Sequence, residues 1–220
     1  MKISVMVTTY NHPRRLVKVL KGLRFQTIHP EEVVVADDGS GPDTAAALDD
    51  FCKNRIPFAL HHVRHEDRGF RAAAIRNKAI LKSTGHYLIC LDGDCIPDRH
   101  FIGDHKALAR AGHFFQGKRV LVDQKRSPDF THNHSASFKN KFNLLFSKGI
   151  SNRHHLIRMP LFPVAESRRL SGIKTCNMGF FRNDILHIKI FVRDISPNLF
   201  SYFQVHKFRK SFRKPVSNRF

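Results

Sequence analysis

No stretch of 18 consecutive apolar residues occurs in this chain of 220 residues, so no part of it is suited to cross a bilayer as a single helix. The opening MKISVMVTTYNHPRR has an apolar part too short for a secretory leader and passes directly into a strand-like pattern. A cytoplasmic location is the expectation. Cysteine is sparse, and Cys52, Cys90, Cys95 and Cys176 form no close CxxC pair. They read as reduced, mostly buried thiols. The histidines at 61, 62, 65, 132 and 134 lack such a cysteine pair as well, so they are not read as a zinc site. Internal repeats and low-complexity segments are absent.

Acidic residues are also few, 18 Asp and Glu against 38 Lys and Arg, for a net charge of +20. Their distribution is uneven. Residues 1–100 carry 15 basic and 12 acidic residues, whereas residues 101–220 carry 23 and 6. The basic surplus belongs to the second half, which suits it to anionic partners such as lipid headgroups, phosphorylated glycolipids or nucleic acid.

What is present is an alternation of strands and helices over the first hundred residues. Ile3–Thr8 reads as a buried strand, and Pro13 suits the first turn of a helix with Leu16, Val17, Leu20 and Leu23 on one face. Glu32–Ala36 is a second strand, Thr44–Lys53 a second helix and Phe58–Val63 a third strand. Arg71–Ser83 is an Ala-rich helix closed by Gly85, and Tyr87–Leu91 is a fourth strand. This order predicts an α/β fold with a mostly parallel sheet and helices on both faces. Residues 123–170 are basic and His-rich with few clear boundaries, and 171–184 looks ordered again.

Ligands of open parallel sheets bind beyond the carboxyl ends of the strands. Three polar clusters stand at such ends: Thr8-Thr9-Tyr10-Asn11, Asp37-Asp38 and Asp92-Gly93-Asp94. Aspartates two apart on an extended strand point the same way and repel one another unless a cation lies beside them. Asp92 and Asp94 are therefore candidate metal ligands. Asp37-Asp38-Gly39-Ser40 is equally a turn and helix-start sequence, and Arg71 to Arg76 equally a solvated basic helix face.

In this order, MVTTYNHPRRL, VVVADDGS, DRGFRAAAIRN, LICLDGDCIP and GIKTCNMGFFR resemble the family-2 nucleotide-sugar glycosyltransferases of GT-A fold, in particular bacterial enzymes of surface polysaccharide or lipopolysaccharide synthesis. The resemblance covers residues 3 to 187 and implies a Rossmann-like GT-A domain over residues 1–188. It implies Mn²⁺ or Mg²⁺ on Asp94, with Asp92 beside the ribose or sugar and a second candidate ligand. Asp37, with Asp38, would meet the uracil edge, and Thr8, Tyr10 and Asn11 would line base and ribose. Arg71, Arg76 and Asn77 would approach the donor, and Asn177 and Met178 would lie under its sugar. The implied reaction is inverting transfer from a nucleotide-sugar donor, UDP-linked, to a glycan or glycolipid acceptor, with an anionic membrane surface as a further partner and the inner membrane face as the place of work. A nucleic-acid partner is not expected, because three acidic strand ends oppose a phosphate backbone and no nucleic-acid module is present.

Relatives carry their general base in a Gly-Trp-Gly-Glu-Asp-like segment after NMGFF. This chain contains no Trp, has no Glu-Asp pair after residue 67, and past Asn183 offers only Asp184 and Asp194. The general base is thus unassigned; Glu166 is a conceivable substitute but a better surface partner for Arg168 or Arg169. The family pattern is expected to end near Ile188, leaving 189–220 as a basic, Phe-rich tail, degenerate or loosely packed. A remnant that binds nucleotide-sugar without turnover is the alternative reading.

Overall fold

A computed structural model describes residues 1–156, 164–167, 174–187 and 209–213. Four strands are built from nearly uninterrupted apolar runs or their edges: β1 (Ile3–Thr9), β2 (Glu32–Asp37), β3 (Ala59–Arg64) and β4 (Tyr87–Asp92). Their mutual pairings, β3 to β2, β2 to β1 and β1 to β4, are all parallel. β1, β2 and β4 are buried almost throughout, as strands covered by helices on both sides must be. Edge strand β3 alternates between exposed and half-buried positions.

The intervening helices are α1 (Pro13–Arg24), α2 (Pro42–Cys52) and α3 (Ala72–Lys82), followed by α4 (Phe101–Leu108). α1 and α2 each open with proline in the first turn, where a missing N–H costs nothing. That places the start of α2 at Pro42, two residues ahead of the sequence expectation. Side-chain alternation divides the core in two. Ile3, Val5 and Val7 pack with Leu16, Leu20, Leu23, Leu48, Phe51 and Ile102 on the face covered by α1, α2 and α4. Met6, Val34, Leu88 and Cys90 pack with Ile75 and Ala79 of α3 on the other, joined by Ile185 of α6 (Arg182–His187). Helices therefore lie on both faces of a mostly parallel sheet, the α/β fold class expected.

Beyond α4 come β5 (His113–Gln116), a small antiparallel pair of β6 (Leu121–Val122) and β7 (Ile150–Ser151), β8 (Val164–Ser167), β9 (Asn177–Phe181) and β10 (Arg209–Arg213). The large sheet runs β3-β2-β1-β4-β9-β5-β10-β8. β9 is antiparallel to both its neighbours, so it enters between β4 and β5 from the opposite end. β10, from the expected tail, pairs parallel with β5 and antiparallel with β8; the rest of residues 189–220 lies outside the described residues. Within the stretch that shows no clear period in the sequence, α5 (Phe138–Phe146) forms behind an N-cap in which the Ser137 side chain accepts from the Asn140 N–H.

Candidate functional site

The parallel strands end, and β9 begins, along one edge of the sheet. There the register sets Thr9 beside Asp37, Thr8 beside Asp92, and Leu91 beside Asn177. All three polar clusters read from the sequence thus meet at this edge, and Asn177 joins them.

Asp92-Gly93-Asp94 is a tight turn locked to the first strand. The Gly93 N–H donates to the Thr8 carbonyl at 2.7 Å and the Cys95 N–H donates back to the Asp92 carbonyl at 3.0 Å. A Cβ on residue 93 would lie 2.7 Å from the Thr8 carbonyl oxygen, so the space admits only glycine without movement. Arg76 reaches across from α3: its Nε donates to Thr8 Oγ1 at 3.1 Å and its second nitrogen to Asp92 Oδ1 at 3.3 Å. Burial raises the Asp92 carboxyl above its ordinary value; Arg76 opposes the rise and the Asp94 charge adds to it. Asn77 follows Arg76 on the same helix and is half-buried.

Donor atoms of Asp92, Asp94 and Cys95 all lie within 4.8 Å of one another, a spacing that one divalent ion can bridge. Beside them the Thr9 hydroxyl is buried with no hydrogen-bond partner among the described residues. Two carboxylates, that of Asp92 raised by burial, and an unsatisfied hydroxyl form a donor set that fits Mn²⁺ or Mg²⁺, with Cys95 as a softer neighbour. The Cys95 thiol also hydrogen-bonds to that of Cys176, which the β4–β9 pairing carries to this turn. That bond, with the Arg119 guanidinium beside it, pulls the Cys176 thiol down against its burial.

The second-strand aspartates are held differently. Asp37 is fully buried; its Oδ1 accepts from the Ser40 N–H at 2.8 Å and its Oδ2 from His62 Nε2 at 2.9 Å. Burial works to raise this carboxyl, but the bonds from His62 and Ser40 outweigh it and hold it below the usual range. Asp38 accepts from His65 Nε2 at 2.6 Å and from the Arg71 N–H at 2.9 Å. The histidines of the third strand and its end are thus partners of the Asp37-Asp38 pair. Sequence reasoning did not find His62 and His65, because a cross-strand register cannot be read from a single string. The only available signal was a His-rich strand next to an acidic strand end.

Asn11 clamps the first two loops together. It adopts φ +50°, its N–H donates to Ser40 Oγ at 2.9 Å and its Oδ1 accepts from the Gly41 N–H at 2.9 Å. Asparagine tolerates this left-handed backbone better than other non-glycine residues. Tyr10 is exposed, with its hydroxyl donating to Asp67 Oδ2 at 2.8 Å. The Arg71 side chain donates to the Glu66 carbonyl, so the two arginines of α3 and its start diverge, Arg76 toward Asp92 and Arg71 toward the 66–70 loop.

At the head of β9, Asn177 Oδ1 accepts from His105 Nε2 at 2.8 Å. His105 is buried against Phe101 and Phe115, and burial pushes its imidazole down to about 4. Met178 does not reach the site. At 1% exposure it packs in the core of the α3 side, because alternation on β9 sends residue 178 to the face opposite Asn177. Asp184 lies at the far edge of the sheet, where its carboxylate accepts from the Gly112 N–H ahead of β5. Asp194 and the Glu166 side chain fall outside the described residues.

Comparison with known proteins reports on the same span. The chain is 33% identical to hyaluronan synthase of Pasteurella multocida over 106 residues, 48% of this chain and 11% of that protein. It is 30% identical to chondroitin synthase of Escherichia coli over 107 residues, 48% of this chain and 15% of that protein. The chain therefore spans a small part of the length of these relatives. Among solved structures, a mannosyltransferase of Pyrobaculum calidifontis in complex with GDP-Man and Mn²⁺ aligns with TM-score 0.48 and 27% identity over 54% of this chain and 35% of that one. Residues 4–167, from the first strand past the Asp92-Gly93-Asp94 turn to the end of β8, match the glycosyl transferase family 2 model, and with three quarters of its length inside that span the chain belongs to this family.

Proposed function

We propose that the chain is a metal-dependent transferase that moves a sugar from a nucleotide-sugar, UDP-linked, to a glycan or lipid-borne glycan acceptor in cell-surface polysaccharide or lipopolysaccharide synthesis, with inversion at the anomeric carbon. One observation carries the reading: two carboxylates two residues apart, held by Gly93 and Arg76 at the carboxyl edge of a parallel sheet, with donor atoms close enough for one ion. Mn²⁺ or Mg²⁺ on Asp94 and Asp92 would offset the charge that develops on a departing diphosphate. Arg76 orients Asp92 and brings a guanidinium to the place where phosphates would lie. Asn11, Tyr10 and the Asp37-Asp38 turn form the opposite wall, with Asp37 and Asp38 fixed by His62 and His65 as support for the base-binding loops. Asn177, oriented by His105, faces the same edge and is placed to meet the donor sugar. The similarity to hyaluronan and chondroitin synthases accords with a transferase that builds glycans.

The alternative, donor binding without turnover, is favoured by the chain's lack of Trp and by Asp184, which sits at the wrong edge to serve as a base. Calorimetric titration of UDP, with Mn²⁺ and with EDTA, repeated on Asp94→Ala, tests the donor site. Metal-dependent binding lost in the variant is expected, and equal binding in EDTA would sink the reading. Sugar release from labelled UDP-sugars then separates transferase from binder.

A further inference from the structure

Helix α5 carries three phenylalanines out into solvent. Phe138, Phe142 and Phe146 are 85%, 51% and 73% exposed. At spacings of four they share one side of the helix, and the rings of Phe142 and Phe146 touch at 5.1 Å. The opposite side is anchored, since Leu144 is buried, so the orientation is fixed and the aromatic stripe faces outward. Isolated exposed apolar residues are ordinary; an ordered row of three large rings on one helix is not.

The surroundings are cationic. Between residues 118 and 153 stand eight Lys and Arg against two Asp. Lys139 is exposed next to the stripe, and Lys148 follows the helix. The side of α5 turned away from the stripe, with Asn140, Leu144 and Ser147, closes a separate cleft of about 470 Å³ that Lys125 and Arg126 also line. Rings with an exposed lysine beside them, on a short helix in a basic stretch of the chain, match a layered partner that is apolar within and anionic at its surface.

We infer that α5 docks on an anionic phospholipid bilayer, its phenylalanines entering the headgroup–acyl boundary while Lys139, beside the stripe, meets lipid phosphates. The location gives this a purpose. Lys141 of α5 pairs with Asp98, four residues beyond Asp94, and Arg99 donates to the Ala136 carbonyl at 3.2 Å ahead of the helix. The docking face is thereby fastened to the loop that follows the Asp92-Gly93-Asp94 turn, so the candidate site would open beside the membrane surface. The inference rests on the reading of the acceptor as lipid-borne, and it is tested apart from the donor site.

Co-sedimentation of the full chain with phosphatidylcholine vesicles, and with vesicles containing about one-third phosphatidylglycerol, is the experiment. Binding to the anionic vesicles alone, weakened as salt rises and at least tenfold weaker for Phe138→Ser/Phe142→Ser/Phe146→Ser, is expected. Circular dichroism verifies that the variant is folded, and UDP titration should be unchanged by it, which separates this test from that of the donor site. Equal vesicle binding by the triple variant would overturn the assignment, leaving charge alone as the cause. Concentration-dependent self-association that the triple variant abolishes, with no vesicle binding, would overturn it in favour of a second copy of the chain. Lys139→Glu is a second variant that spares the rings: it should weaken binding to anionic vesicles severalfold, and no change would count against the inference.

Discussion

Arg76 ties the first strand to the fourth: one guanidinium donates to both Thr8 and Asp92, at 3.1 and 3.3 Å. A lysine can supply the charge but not two divergent donors in a fixed fork. Arg76→Lys is therefore expected to keep the fold and weaken Mn²⁺-dependent UDP binding by roughly tenfold, about 1.4 kcal/mol. Calorimetry on the variant measures it, and unchanged affinity would mean that Asp92 needs no such support.

Asp94 adds its charge to the pressure on the half-buried Asp92. Replacing it with asparagine removes that repulsion while keeping the shape. Asp94→Asn should melt about 1–3 °C higher than the parent in EDTA and lose the stabilisation that Mn²⁺ gives the parent. A lower melting temperature in EDTA would show that the carboxylate has a structural partner instead.

Gly93 admits no side chain without a shift, since its Cβ would press on the Thr8 carbonyl. Gly93→Ala is expected to cost about 1–3 kcal/mol by overpacking and to abolish metal-dependent UDP binding, because the turn can relieve the clash only by moving Asp92 and Asp94. Denaturant unfolding and calorimetry report the two effects separately. Full UDP affinity in a destabilised variant would uncouple the turn from the site.

His105 gives a pH signature. Its imidazole is pushed down to about 4 in the fold by burial, against about 6.5 in an unfolded chain. Below pH 6.5 the unfolded chain takes up a proton that the folded chain refuses, so stability falls as pH drops from 6.5 to about 4, by up to about 3 kcal/mol. Asp37, held low chiefly by His62 and Ser40 against its burial, adds stability that is present above the ordinary carboxylate range and is lost only as pH falls through its lowered value. In His105→Phe the decline between pH 6.5 and 4 should flatten. An identical slope in variant and parent would assign the loss to other groups.

Much of this architecture was legible in the sequence. β1, β2 and β4 are buried on both faces, so their apolar runs are continuous, and the polar residues that end them mark the edge of the sheet. The positions of Asp92, Asp94 and Asn11 at that edge were legible for the same reason, whereas Arg76, on α3, was reached only through the family resemblance. What stayed hidden depends on pairing between distant segments. The bond of His62 to Asp37 needs the β2–β3 register, and the meeting of Cys95 with Cys176 needs the β4–β9 pairing. Met178 looked like a neighbour of Asn177 in the string, yet a strand sends adjacent residues to opposite faces. α5 was missed because its outward side carries phenylalanine where a solvated helix would carry polar residues, so no hydrophobic period stands out.

The place of β9 bears on how the protein is made. β4 and β5 are complete by residue 116, but the strand that joins them begins only at residue 177. During synthesis two inner edges must therefore wait, open-sided and largely apolar, for some sixty residues of further chain, and their closure is a long-range, slow event. A nascent chain caught in that interval presents strands ready to pair with a neighbour. Yield in the cell should accordingly depend on chaperone capacity and on the speed of translation through residues 117–176 more than on the stability of the finished sheet.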